Sequence, residues 1–157
     1  MAAAAAPALP TAIHLGDDEL PWVDAGPGTK LKVLLVREKE GLWIIRNRFE
    51  AGVAVQTHRH TGPVFGYTIA GAWKYAEYDY VNRAGSFLYE PAGSVHTLTV
   101  PETNTETTDV WFQMYGCNLN LDAAGKVESV IDGRLVLDFY LAMCEAQGLP
   151  RPPVLVE

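Results

Sequence analysis

Residues 56–71 read QTHRHTGPVFGYTIAG, and this stretch decides how the chain is expected to fold. It places His58 and His60 one residue apart, and these are two of the four histidines in the sequence. In a β-strand, residues i and i+2 face the same side, roughly 6–7 Å apart, so the two imidazoles can reach one ion. A solvated strand face is nevertheless the commoner reason for such a pair. A metal site therefore needs further support from the sequence.

Short runs rich in β-branched and aromatic residues follow one another along the chain, with turn residues between them. Their density and the turn spacing of about 8–12 residues predict an all-β antiparallel sandwich or barrel. Within AWKYAEYDYV, the alternation places Trp73, Tyr75, Glu77 and Asp79 on one face. The predicted strand-like runs are KLKVLLVRE (30–38), GLWIIRNRFE (41–50), AGVAVQTHRH (51–60), VFGYTIAG (64–71), AWKYAEYDYV (72–81), GSFLYEPAG (85–93), SVHTLTV (94–100) and DVWFQMYGCNLNL (109–121).

The pattern changes to helical spacing near the C-terminus. Asp132 is a plausible N-cap, and Gly148 marks a C-terminal stop. The sequence therefore predicts one amphipathic helix packed on the β body. The apolar residues at helical spacing are Leu135, Val136, Phe139, Ala142 and Met143.

Length and charge limit the architecture and the partners. We interpret residues 13–157 as one domain, because a chain of 157 residues most simply forms one core. A net charge of −7 argues against a nucleic-acid partner, since like charges repel. No run of 18 apolar residues is present, so no membrane span is predicted.

Residues 1–12 are rich in alanine and imitate a secretory signal. They contain no Lys or Arg, and Pro7 and Pro10 interrupt the apolar run, so we expect a disordered tail. Cys117 and Cys144 are too few for a disulfide framework. These features predict a cytoplasmic protein with reduced thiols.

His96 strengthens the metal hypothesis. It ends the segment YEPAGSVH, in which Pro91 and Gly93 turn the chain. The spacings G-x5-H-x-H and P-x-G-x-x-H resemble the two motifs of the cupin superfamily. This resemblance implies a double-stranded β-helix, or jelly-roll barrel, in which His58, His60 and His96 bind one metal ion.

One position departs from the cupin pattern. In the cupin pattern, a metal-binding glutamate lies three residues before the tyrosine of a Y-x3-G segment. Tyr67 and Gly71 form that segment here, and Val64 occupies the glutamate position. This fourth ligand is therefore missing. A neutral three-histidine site leaves a bound metal more Lewis-acidic and with more open positions. We therefore expect an open site.

A wider resemblance covers nearly the whole chain. The segments DELPWVDAGPGTKLKVLLV (18–36), TIAGAWKYAEYD (68–79) and GSFLYEPAGSVHTL (85–98) resemble dihydroxyacetophenone-dioxygenase-type cupins, which are grouped with the cupin half of ChrR-like anti-sigma factors. The resemblance implies a non-haem Fe(II) dioxygenase that uses dioxygen to cleave a carbon–carbon bond in a small aryl hydroxyketone or β-diketone. By the same resemblance we expect a homodimer.

Two carboxylates are candidates near the metal. Glu90 matches a position where a diketone-cleaving relative carries a carboxylate beside the ligands, where it could accept an imidazole N–H. Glu77 lies on the strand from which dihydroxyacetophenone-type relatives recruit a metal-binding glutamate. For each residue, a solvated surface charge is the alternative.

Two other functions stay open. The first is a zinc-binding sensor or ligand-binding domain without catalysis, although zinc cupins favour the glutamate that Val64 replaces. The second is a structural or storage cupin without metal, which three histidines at motif positions disfavour.

The aromatic residues are expected to be mostly core, with a subset lining an apolar pocket. They are Trp43, Phe65, Tyr67, Trp73, Tyr75, Phe87, Tyr89, Trp111 and Phe112.

Overall fold

The computed structural model describes residues 11–157. The tail predicted at residues 1–12 lies outside this range except for its last two residues. Within these residues the chain forms fourteen strands, a 3-10 turn at Glu38–Glu40 and one α-helix. The strands are β1 (Val23–Asp24), β2 (Thr29–Arg37), β3 (Leu42–Phe49), β4 (His58–His60), β5 (Val64–Ala70), β6 (Ala72–Tyr75), β7 (Asn82–Arg83), β8 (Phe87–Glu90), β9 (Val95–His96), β10 (Leu98–Thr99), β11 (Thr108–Tyr115), β12 (Asn118–Leu121), β13 (Val127–Ile131) and β14 (Leu155–Val156), and the helix is α1 (Gly133–Ala146).

Three sheets build the body. The largest has the order β1-β2-β3-β11-β5-β8, and β14 adds to β2 in parallel. A second sheet has the order β13-β12-β4-β9, and a third has the order β10-β6-β7. Apart from β14, all strand pairs are antiparallel. The prediction of an all-β fold with one C-terminal helix is confirmed.

The turn between β5 and β6 shows how the chain passes from one sheet to another. Gly71 has φ +72°, and a Cβ there would lie 2.6 Å from the Cα of Thr108. Only glycine satisfies both the left-handed backbone and this close approach. The inward residues of both sheets then share one core that includes Trp43, Val64, Trp73 and Phe112.

Helix α1 begins and ends as the sequence predicts. The Asp132 side chain accepts a hydrogen bond from the Leu135 N–H at 2.8 Å, and Gly148 has φ +67° beyond the last turn. The predicted buried face is partly wrong. Leu135 is 51% exposed and Phe139 is 41% exposed, whereas Val136, Leu137, Tyr140 and Cys144 are buried.

Two contacts set this rotation of the helix. A Cβ on Gly133 would lie 3.0 Å from the Cβ of Trp43, so the first turn packs closely on β3. The Tyr140 hydroxyl donates to the Pro21 carbonyl at 2.5 Å. Both contacts join residues that are far apart in the sequence, so the hydrophobic periodicity of the helix does not predict them.

The strand predicted at residues 72–81 is too long. β6 ends at Tyr75, because a turn follows in which the Tyr78 N–H donates to the Tyr75 carbonyl at 3.2 Å. Trp73 and Tyr75 point inward, while Glu77 is exposed after the turn. The expectation that Glu77 shares their face is therefore wrong.

In the described part of the chain, α1 does not meet the length and hydropathy that a membrane span requires.

Candidate metal centre

The barrel brings three histidines together. β4 pairs with β9 so that His58 lies opposite His96, and His60 follows two residues along β4 on the same face. Ring centroids lie 4.8 Å apart for His58 and His96, 4.9 Å for His58 and His60, and 5.4 Å for His60 and His96. One nitrogen from each ring lies within 4.8 Å of the others, a group that could hold a metal ion.

The His58 ring has a fixed tautomer. Its Nδ1 lies 2.7 Å from the carbonyl oxygen of Gln56. A carbonyl only accepts, so Nδ1 carries the proton and Nε2 keeps its lone pair. Metal-binding histidines are commonly oriented by such a bond to the other ring nitrogen.

Burial keeps the imidazoles of His58 and His60 neutral. Loss of solvation lowers the pKa of His58, and it lowers the pKa of His60 to about 4. A neutral imidazole offers a lone pair to a metal, whereas a protonated ring repels it.

A carboxylate lies beside the three rings. Glu90 is directly opposite Val64 in the β5–β8 ladder, so its side chain projects to the same inward face. Its Oε2 lies 3.0 Å from Nε2 of His96 and 3.3 Å from Nε2 of His60, and its Oε1 accepts a hydrogen bond from the Tyr75 hydroxyl. The structure therefore places Glu90 beside the rings, as the resemblance implied, and not in the alternative position of a solvated surface charge.

Glu90 is ionised despite its burial. Desolvation alone would raise its pKa, but the hydrogen-bonding groups of His96, His60 and Tyr75 around the carboxylate together lower the pKa below its usual value. A glutamate with 3% exposure therefore keeps its negative charge.

Tyr75 supports the cluster in two ways. Its ring stacks on His96 with centroids 3.9 Å apart and planes at 16°, while its hydroxyl holds Glu90. Burial and the neighbouring Glu90 charge raise the pKa of Tyr75 well above its usual value, so the hydroxyl stays protonated as a donor. Tyr75 was expected as one of the core or pocket aromatic residues and not as a partner of Glu90. Its alternation with Trp73 suggested burial, and the contact with Glu90 depends on a different strand pairing.

The donor atoms fit a cation. His60 Nδ1 is buried without a hydrogen-bond partner in residues 11–157, and His96 Nε2 and Glu90 Oε2 lie 3.0 Å apart without the alignment of a hydrogen bond. Buried polar atoms without partners are costly, and a metal ion would satisfy them. Imidazole nitrogens with a carboxylate oxygen suit iron or zinc.

Glu77 lies elsewhere. Its side chain is exposed, and its Oε2 accepts a hydrogen bond from the Thr97 N–H at 2.9 Å. Within residues 11–157, the group of converging ligand atoms contains the three histidines and includes neither Glu77 nor Glu90. The Glu77 carboxylate therefore binds the backbone N–H of Thr97, which follows His96, and does not join the cluster.

A cavity of about 490 Å³ opens beside the cluster. His58, His60 and Glu90 form part of its wall, and most of the remaining wall is apolar. Helix α1 closes one side with Leu135 and Phe139, which explains why these two apolar residues face away from the core. The arrangement can place an apolar ligand against polar groups that hold a metal.

The aromatic prediction is correct in part. Trp43, Trp73, Tyr75 and Phe112 are buried, and Trp43, Tyr75 and Phe112 line the cavity. Other aromatic residues that were expected in the core point outward and are exposed, namely Tyr67, Phe87 and Tyr89.

A β-barrel with three converging histidines inside defines a cupin with a potential metal centre. The chain belongs to the family described as the ChrR Cupin-like domain, whose model matches residues 11–115. No curated protein sequence matches the chain.

Solved structures agree with this fold. A protein of unknown function with a cupin-like fold from Ralstonia eutropha JMP134 is 29% identical, with a TM-score of 0.87 over 97% of this chain and 96% of that chain. An acetylacetone dioxygenase from Acinetobacter johnsonii is 16% identical, with a TM-score of 0.73 over 90% of this chain and 97% of that chain. Rhodobacter sphaeroides SigE in complex with the anti-sigma ChrR is 16% identical, with a TM-score of 0.53 over 63% of this chain and 51% of that chain.

Proposed function

We propose that this protein is a non-haem Fe(II), dioxygen-dependent enzyme that cleaves a carbon–carbon bond in a small aryl hydroxyketone or β-diketone. One observation carries the proposal: three buried imidazoles converge beside an ionised carboxylate, and His58, His60 and Glu90 of this cluster line a largely apolar cavity of about 490 Å³. This volume falls within the range of small-molecule sites.

His58, His60 and His96 would hold the iron. Bound ferrous iron would supply Lewis acidity toward a chelating ketone and the electrons needed to activate dioxygen. The three rings are prepared for this role, because burial keeps His58 and His60 neutral and the Gln56 carbonyl fixes the lone pair of His58.

Glu90 would handle a proton. A hydroxyketone or β-diketone must lose a proton to bind as an anion, and Oε2 of Glu90 is an ionised acceptor in the cavity wall. The Tyr75 hydroxyl holds Oε1, so the other oxygen faces the rings in one orientation. Glu90 is thus the catalytic residue of this proposal, and Tyr75 is a positioning residue.

The apolar wall would bind the rest of the substrate. Phe49, Phe112 and Phe139 offer flat surfaces for an aryl group, and an apolar wall keeps water from the reacting centre. A low local dielectric also strengthens the attraction between an anionic ligand and a cation.

Oxygen uptake tests the proposal. Protein reconstituted with ferrous iron without air is mixed with 2-hydroxyacetophenones or β-diketones in air-saturated buffer, and the products are identified by mass spectrometry. We expect oxygen consumption matched by carbon–carbon cleavage products. Zinc-loaded protein is the control, because zinc binds the same donors without redox chemistry. No uptake with any member of the panel would contradict the proposed activity.

A zinc-binding domain without catalysis is the second candidate. The family match to the ChrR cupin-like domain favours it, and zinc accepts the same histidine and carboxylate donors. Metal analysis after purification with and without air distinguishes the two. Iron that is retained only without air supports the enzyme, and stoichiometric zinc under both conditions supports the binding domain.

We further propose that the protein forms a homodimer through the outer face of β5 and β8. Tyr67, Phe87 and Tyr89 are exposed on this face, and β8 is the outermost strand of its sheet. Exposed aromatic clusters mark protein interfaces, and a sheet edge offers unpaired backbone groups. Two chains that each carry a charge of −7 repel, so an uncharged aromatic patch suits their contact.

A further inference from the structure

A row of polar side chains continues from the histidines onto β12. Asn118 lies opposite His60, and Asn120 lies opposite His58. Directly opposite residues of antiparallel strands project to the same face, so both asparagines share the inward face of the histidines. Asn120 in turn lies opposite Ser129 on β13.

Hydrogen bonds orient the Asn118 amide. The Asn120 Nδ2 group donates to Ser129 Oγ at 3.0 Å, which turns the Asn120 Oδ1 toward Asn118. The Asn118 Nδ2 group then donates to this oxygen at 3.5 Å. Because the amide nitrogen of Asn118 is directed at Asn120, the amide oxygen of Asn118 is left as a free acceptor.

This oxygen is buried without a partner. Oδ1 of Asn118 accepts no hydrogen bond from any side chain or backbone group in residues 11–157. Asn118 lines the cavity together with its neighbours His60 and Ile131. An acceptor without a partner, on a residue that lines a ligand cavity, is satisfied when a bound ligand supplies a donor.

We propose that Asn118 is a specificity-determining residue whose Oδ1 accepts a hydrogen bond from a hydroxyl group of the ligand. The inference rests on the proposed function for the identity of the cavity as the substrate site. It favours an aryl hydroxyketone that carries a second hydroxyl on its ring, because this donor remains when the substrate binds as an anion, whereas a β-diketone anion has only acceptors. A site built around a ligand hydroxyl rejects analogues that lack it.

Binding of two matched probes tests the inference. Calorimetry on zinc-loaded protein compares 2,4′-dihydroxyacetophenone with 2-hydroxy-4′-methoxyacetophenone, which keeps the chelating hydroxyketone but lacks the ring hydroxyl donor. We expect the wild-type protein to prefer the hydroxyl compound by roughly 5- to 150-fold, the range for one buried acceptor left without a partner. In Asn118→Leu, which is similar in size and has no acceptor, the preference should fall below about twofold.

Three further variants keep the result interpretable. Asn118→Ala removes the acceptor without adding bulk and should also lose the preference, so the test survives if the leucine variant does not fold. Asn118→Asp keeps an acceptor and should keep the preference. Leu119→Ala changes a neighbour on the opposite face of β12 and should leave it unchanged.

The outcome is separable from that of the oxygen experiment, since zinc-loaded protein performs no oxidation. A preference that survives in both Asn118→Leu and Asn118→Ala overturns the inference, even if iron-loaded protein consumes oxygen. A preference that Asn118→Leu or Asn118→Ala abolishes supports the inference, even if no oxygen is consumed with any ketone.

Discussion

The two faces of the β5–β8 ladder differ in an unusual way. On the inner face, Val64 lies opposite Glu90, and both are buried at 1% and 3% exposure. On the outer face, Tyr67 lies opposite Phe87, and Phe87 is 67% exposed. The charged residue is inside and the aromatic residues are outside, the reverse of the ordinary arrangement.

The difference shows what each face needs. A buried carboxylate persists only with partners, and Glu90 has Tyr75 and two imidazoles. An exposed aromatic cluster is costly in water unless something covers it. The inner face therefore points to a small cation and ligand, and the outer face to a second protein surface.

Removal of the histidines should have the largest effect. His58→Ala, His60→Ala and His96→Ala should each weaken zinc or ferrous binding by more than about 100-fold, since removing a ligand costs more than removing its hydrogen-bond partner. Metal content after dialysis and a competitive chelator titration measure the loss. His14→Ala, at an exposed position, is the matched control and should bind like wild type. A variant of the three that retains stoichiometric metal would show that its histidine is not a ligand.

A second carboxylate on the inner face, next to Glu90, should destabilise the metal-free protein. Val64→Glu would place two buried carboxylates opposite each other, where like charges repel. We expect a loss of at least about 3 kcal/mol in the free energy of unfolding of the metal-free protein, as for an uncompensated buried charge. Urea denaturation measures it, and bound zinc should restore part of the stability.

Val64→Thr is the control for this substitution, because it keeps the shape of valine without a charge. Equal stability of metal-free Val64→Glu and Val64→Thr would contradict the placement of Glu90 opposite Val64.

Neutralising Glu90 should have an intermediate effect. Glu90→Gln removes the charge beside His60 and His96 and should lower metal affinity or oxygen uptake by about 10- to 100-fold. The same titration on Glu77→Gln tests the competing carboxylate, and we expect less than a twofold change there. If Glu77→Gln loses metal and Glu90→Gln keeps it, the roles of the two glutamates are reversed.

A charge on the outer face should have the smallest effect on the metal site. We expect it to weaken dimerisation only. Phe87→Asp should weaken dimerisation by about 10- to 100-fold, as expected for a buried aromatic anchor, with metal content unchanged. Light scattering across a concentration series measures the mass. Val130→Asp, which places the same charge at an exposed position on β13, should remain dimeric. A monomeric wild-type protein would refute the dimer proposal outright.

Local patterns in the sequence predict much of the fold. The strands β2, β3, β5 and β8 follow the alternating or β-rich runs, and α1 begins after Asp132 and ends before Gly148 as capping rules predict. These features depend on residues within a few positions of one another. The histidine cluster was also predicted, through the resemblance of its two motifs.

Only the tertiary structure decides what surrounds the histidines. Glu90 was a candidate from the resemblance, but the β5–β8 register, which sets it opposite Val64, decides that its carboxylate reaches the cluster and is not a surface charge. Asn118 joins the site through pairing of β12 with β4, across more than fifty residues of sequence. Glu77 leaves the predicted face because a turn follows Tyr75. Alternation along one strand gives the face of each residue, but it does not give the register between strands, which long-range hydrogen bonds and core packing determine.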